Sequence, residues 1–244
     1  PSVTSSSSSS SVMLLATTLL LGSIFSVDIY GDDFTIRAQL LYMYVPFNVF
    51  GIVAFKKSLH WSETLRGNHD IYYGVVSPLA LWWCSGWVEV VYEVVLSGVV
   101  VFTLRYSDGM NLSLRVVLTH WTLTWVAFHS TMLIRTIVAN GVVWLRRSPS
   151  PDLAMYICCF VELIMEGFNG CFVTPDDMSG AMAWVCYLNP MYYVMLGVLR
   201  VEGFVDGESM VTDVWLPCAG LLVGLNGLYL CSLQAHATGH LAVT

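Results

Sequence analysis

Apolar positions fall in long blocks along the chain, and polar positions gather between them. Six apolar runs are each about 20 residues long, enough to cross a hydrocarbon core of roughly 30 Å. They cover Val12 to Ile29, Ala38 to Phe55, Leu79 to Leu104, Leu114 to Ala139, Leu153 to Val173 and Val214 to Leu233. The breaks are polar: DIYGDDFTIR, then KKSLHWSETLRGNHD, the tight turn YSDGMN, and WLRRSPSPD with its two prolines. The segment TPDDMSGAMAWVCYLNPMYYVMLGVLRVEGF separates the fifth and sixth runs. It is apolar, but Gly180, Asn189 and Pro190 cut it into pieces too short to span. Such pieces predict a re-entrant or interfacial hairpin, with Trp184, Tyr187, Tyr192 and Tyr193 at the headgroup level. The expected fold is therefore an all-α polytopic membrane protein. It has six transmembrane helices plus a re-entrant helical hairpin between helices five and six.

Composition agrees. Hydrophobic residues make up 56% of the 244 residues and charged residues 11%, where a soluble domain carries about 25% charge. A net charge of −7, with ten scattered Lys and Arg, argues against a nucleic-acid partner. None of the seven cysteines forms a CxxC pair, and most sit in apolar runs, where packing is the plain role. Basic residues cluster at Lys56, Lys57, Arg66, Arg146 and Arg147. The positive-inside rule then places the N-terminus in the cytoplasm. Residues 1–11, PSVTSSSSSSS, read as a flexible linker without the basic start of a signal peptide. That composition predicts that the chain trails a longer polypeptide. No internal repeat supports an inverted-repeat transporter.

Candidate chemistry is sparse. No GxxxxGK[ST] occurs, so the chain cannot cradle ATP phosphates by the P-loop route. HExxH and GxSxG are also missing, so no catalytic site is expected. Four acids fall inside predicted spans: Glu89 with Glu93, and Glu162 with Glu166. Each pair is spaced i, i+4 and shares a helix face. A carboxylate in hydrocarbon is costly, so these faces should point into the bundle or a water-filled cavity. Two roles stay open: a polar patch in a translocation path or proton site, and structural pairing with Arg105, Arg135 or a hydroxyl. Asn111-Leu112-Ser113 is a sequon against the outer face. Cys171 and Cys186 fall near that face, where they could pair or stay as thiols. The first cytoplasmic loop, residues 56–73, could fold as an amphipathic helix along the inner surface. It would be either a solvated loop or a docking element for a cytosolic partner.

The order of these pieces resembles the transmembrane domain of ABC exporters of the G subfamily, the white and pleiotropic-drug-resistance or ABC-2 type. LLATTLLLGSIF is similar to the family's first helix, IRAQLLYMYVPFNVF to its second, and the stretch through IYYG to its coupling helix. EGFNGCFV resembles the end of the fifth helix. AWVCYLNPMYYVMLGVLRVEGF follows the pattern of Trp, Tyr, Asn-Pro and Tyr that closes on an acidic residue and Phe. The resemblance assigns the membrane domain to residues 12–235, with an outer region over 174–213 and a tail over 236–244.

The resemblance implies that two such domains pair, as homo- or heterodimer, and that helices two and five line a central cavity. Carried over, the substrate cavity takes Phe47, Phe50, Glu162, Leu163 and Glu166, and the outer gate takes Cys171 and Phe172. Coupling to the ATPase domain falls to Glu63, Arg66, His69 and Asp70. ATP and magnesium would sit on a partner nucleotide-binding domain, with neither metal nor cofactor in this chain. The implied function is the membrane half of an ATP-driven exporter of lipids or hydrophobic small molecules, in a plasma or organellar membrane. The competing readings are ATP-independent transport, proton-coupled or scramblase-like, and a membrane scaffold without transport.

Overall fold

The computed structural model describes residues 67–107, 113–146, 151–170, 175–203, 205–206 and 209–241. Every regular element among them is helical. Residues 67–72 form a short helix that turns at Gly74, whose φ of 70° lies in the left-handed region glycine tolerates. The chain then enters α1 (Pro78–Ser107). Ser77 opens it by accepting from the Ala80 amide at 3.2 Å, and Pro78 stands where a missing N–H costs nothing. After it come α2 (Leu114–Arg146) and α3 (Pro151–Gly167), the latter again started by a proline. A single 3₁₀ turn, Pro175–Asp177, precedes two short helices, α4 (Gly180–Tyr187) and α5 (Pro190–Val201). Residues Val211–Trp215 wind as a π-turn and continue into α6 (Leu216–Leu241). The wider turn falls directly before Pro217, which cannot donate and would crowd the preceding turn of a regular helix.

At about 1.5 Å per residue, α1 and α2 are roughly 45 and 50 Å long, more than the hydrocarbon thickness. One helix among the described residues is both long and apolar enough to cross a membrane on its own, Val211–Ala235, with mean hydropathy 1.6. The longer α1 and α2 carry polar side chains that the bundle absorbs. The predicted fifth segment, Leu153 to Val173, is shorter as a helix. It stops at Gly167, and Gly170 (φ 81°) turns the chain against the Tyr192 ring, 2.8 Å from where a Cβ would sit.

Helix α2 is the hub and packs on α1, α3, α5 and α6. Trp121 locks it to α1. Its indole N–H donates to the Val94 carbonyl at 2.9 Å, and its ring lies over Gly98, where a Cβ would meet it at 2.9 Å. The main core joins Val100 of α1, Leu123, Val126, Ala127 and Phe128 of α2, Met165 of α3 and six residues of α5. Eight of the twelve residues of α5 are buried. The hairpin expected at headgroup level therefore has a split character. Trp184 and Tyr187 on α4 are about half exposed, whereas Tyr193 on α5 is buried and donates to the Tyr187 carbonyl at 3.0 Å.

Candidate functional site

Two of the four acids expected within spans meet nitrogen partners on α2. Glu162 of α3 is buried, and its Oε1 accepts from Arg135 Nε of α2 at 2.7 Å. Glu93 of α1 takes His129 Nδ1 at 2.8 Å, and both are largely buried. Arg105, fully buried near the end of α1, pairs with Glu202 at the end of α5. Arg200 bonds Asp213 of the π-turn at 2.7 Å. A buried carboxylate left without its partner costs several kcal/mol, about 3–5 where one member of a pair is removed. These pairs therefore fasten α1, α2, α3 and α5 to one another. The side chain of Glu89 lies outside the described residues.

Helix α3 divides sharply into two faces. Ala154, Cys158, Glu162 and Met165 turn inward and are buried. Tyr156, Phe160 and Leu163 turn outward, at 65%, 64% and 70% exposure. Glu166, half-buried, accepts from Asn169 Nδ2 at 3.3 Å. The residues assigned to the substrate cavity thus separate. Leu163 lies on the outward face, Glu162 turns inward to Arg135, and Glu166, one turn on from Glu162, lies between them at the edge of the two faces. Phe47 and Phe50, and the gate residues Cys171 and Phe172, lie outside the described residues. Cys186 is a free, buried thiol 3.6 Å from the Met178 sulfur.

Beyond α3 the chain returns through Asn189, which joins two helices at once. Its Oδ1 accepts from the Met191 amide at 3.0 Å and caps α5, with Pro190 at the first helical position. Its Nδ2 donates to the carbonyls of Met165 at 2.6 Å and Phe168 at 3.0 Å. Those carbonyls belong to the last turn of α3, which has no helical donors left for them. The sequence marked Asn189 as a breaker and as part of the family pattern, without its ties to α3.

At the other end lies the described part of the loop expected to be cytoplasmic, from residue 67 onward. His69 is exposed, Asp70 is half-buried, and their side chains approach to 3.6 Å. Glu63 and Arg66 lie outside the described residues. The Asp70 carbonyl accepts from the amides of Val75 and Val76 and closes the turn into α1. Asn68, one residue before His69, points the other way and is buried. Its Nδ2 donates to Asn140 Oδ1 at 2.9 Å, and Asn140 Nδ2 donates to Ser232 Oγ at 3.0 Å. Ile71 packs with Leu133, Tyr229 and Leu233. The loop is thereby keyed into the C-terminal parts of α2 and α6, a connection with no sequence signal, since lone Asn and Ser residues are common in spans. Among the described residues no group of three His, Cys, Asp or Glu could hold a metal.

Among the described residues the chain is an all-helical bundle with buried charged pairs and an outward apolar face, an arrangement that suits a helical membrane domain. The family model described as ABC-2 type transporter matches residues 4–202, and the chain belongs to that family. It is therefore an integral membrane component of an ABC transporter, a family whose membrane domains work with an ATPase domain that hydrolyses ATP. No curated protein matches the chain.

Proposed function

We propose that this chain is the membrane half of an ATP-driven exporter that moves lipids or hydrophobic small molecules and works as a dimer. The observation that carries the reading is the two-faced α3. Its inner face is fastened by Glu162 and Arg135. Its outer face presents Tyr156, Phe160 and Leu163, which no element among the described residues covers. An exposed apolar face of this kind suits a cavity wall shared with a second copy. In this reading Leu163 and Glu166 face the cargo together with Phe47 and Phe50, Glu162 stiffens the wall through Arg135, and Cys171 and Phe172 close the outer gate.

The topology proposed is six spans with α4 and α5 as a re-entrant hairpin. At roughly 12 and 18 Å by their helical rise, neither reaches across a bilayer. The burial of α5 supports this, because interrupted backbone at membrane depth must be enclosed by protein. Glu63, Arg66, His69 and Asp70 form the proposed docking surface for the ATPase domain, which brings ATP and magnesium. Proton-coupled transport has less support, because Glu162 is engaged by the Arg135 guanidinium and Glu93 by the His129 ring.

Reconstitution with the partner ATPase in vesicles tests the reading. ATP-dependent movement of a fluorescent lipid or hydrophobic amine is expected, and none with a non-hydrolysable analogue. Movement indifferent to ATP would sink it. A cysteine placed at Leu163 should also lose reactivity toward a polar maleimide when transport substrate is added.

A further inference from the structure

We propose that Met178, Met182 and Cys186 bind a soft monovalent metal ion, Cu(I) or Ag(I), in the segment between α3 and α5 and apart from the α3 face. The three sulfurs recur at every fourth residue. Met178 follows the 3₁₀ turn and is held there by its amide, which donates to the Pro175 carbonyl at 3.3 Å. Met182 and Cys186 belong to the first and last turns of α4, and their spacing puts them on one side of that helix. The fold closes the set, because Cys186 Sγ meets Met178 Sδ at 3.6 Å. At that separation one ion touches both sulfurs at about 2.3 Å, the usual length of a metal–thiolate bond. The angle at the ion is then roughly 100°, which leaves room for a third donor. Cys186 is fully buried, Met178 is half-buried and Met182 is 46% exposed. The donors thus run from the surface to the interior and supply a way in, as a usable metal site requires.

The donor set selects the ion. Thiolate and thioether sulfurs are soft ligands and favour Cu(I) over hard cations. Zinc asks for four donors, or three and a water, from Cys, His or carboxylate. Among the described residues no group of three His, Cys, Asp or Glu could supply them. Charge points the same way. Helix α4 packs on the 3₁₀ turn and on α5. These three elements contain one basic residue, Arg200, and Asp213 holds it at 2.7 Å. A thiolate buried here has no counter-charge from them. A monovalent ion leaves the site neutral, whereas a divalent ion would leave a buried positive charge, which is costly. The thiol is protonated at neutral pH. On binding, its S–H bond breaks, the sulfur–metal bond forms with the electron pair left on sulfur, and the proton leaves to solvent. Neither partner is oxidised or reduced. If the Cys186–Met178 contact only fills space, as sulfur side chains often do, the site retains no metal.

The test uses the full-length transporter in detergent, with the exposed Cys84, Cys159 and Cys231 replaced by alanine. Cu(I) is supplied under ascorbate against bicinchoninate as competing chelator, and retained copper is counted per chain by elemental mass spectrometry. One ion per chain is expected, undisturbed by excess Zn(II), and Ag(I) should displace it. Met178→Leu and Met182→Leu keep the side-chain volume and should each weaken retention by about tenfold or more. Cys186→Ser should abolish it. Thermal unfolding of each variant without metal reports folding, and if Cys186→Ser fails to fold the two leucine variants decide. The site is overturned if the parent keeps no copper, if Zn(II) displaces it, or if either leucine variant matches the parent. Retention by folded Cys186→Ser would put the copper on another cysteine and also overturn it. Binding needs neither ATP nor cargo, so failure of the exporter reading would leave this result standing.

Discussion

Asn189 carries more structure than its small side chain suggests. It starts α5, and it also holds the last carbonyls of α3. Asn189→Ala removes the cap and both donors, so a loss of about 2–3 kcal/mol is expected, read as a clear drop in thermal unfolding temperature in detergent. Asn189→Asp keeps the cap acceptor but turns the donors into acceptors facing carbonyls, and should be nearly as damaging. If Asp matches wild type, the ties to α3 contribute nothing. The Asn-Pro pair was legible as a break and as the strongest part of the family pattern. The reach of the amide across to α3 was not, because backbone carbonyls at a helix end leave no mark in the sequence. The same holds for Glu162 and Arg135: their depths could be counted, but which faces meet depends on the rotation of α2 and α3.

Helix α5 shows the limit at the scale of elements. Its sequence is apolar on most sides, and lipid and protein interior ask for the same residues, so hydropathy marked it as too short to span without showing that most of it packs against protein. Gly197 is the clearest sign of that burial. A Cβ there would meet Leu123 Cδ1 at 2.7 Å and Val214 Cγ1 at 2.9 Å. Gly197→Ala should cost about 1–3 kcal/mol by overpacking α2, α5 and the π-turn, whereas a lipid-facing glycine would gain slightly from the change. Thermal stability of the purified variant separates the two. The ion pair between α2 and α3 gives a second prediction. Glu162→Leu alone leaves Arg135 buried and uncompensated and should lower folded yield sharply. Glu162→Leu with Arg135→Met should recover most of it. If the double variant is as poor as the single, the pair is more than a fastener, and Glu162 has a direct role at the cavity.

For the whole molecule, the two proposed working ends sit on opposite sides of the bundle: the α3 terminus with the Asn189 tie, and the cytoplasmic loop with its Asn68 key. The six-block pattern and the missing P-loop made the polytopic class and the need for an outside motor legible, and the family match agrees with both. The sequence could not show how a push on the loop would reach the spans. The chain from Asn68 through Asn140 to Ser232 supplies a physical route, because it ties the loop to α2 and α6 while His69, one of the proposed docking residues, stays exposed. Asn140→Ala cuts that chain without touching the docking residues. Losing a buried partner is worth about 1–3 kcal/mol, which as a coupling free energy corresponds to roughly a 5- to 150-fold effect. ATP hydrolysis by the docked domain should stay within about twofold of wild type while export per ATP falls several-fold. Measured together in the same vesicles, a parallel fall in both rates would mean that the variant only weakens docking or folding. No change in either would mean that the push travels by another route, with Ile71 and its contacts to Leu133 and Tyr229 as the next place to cut.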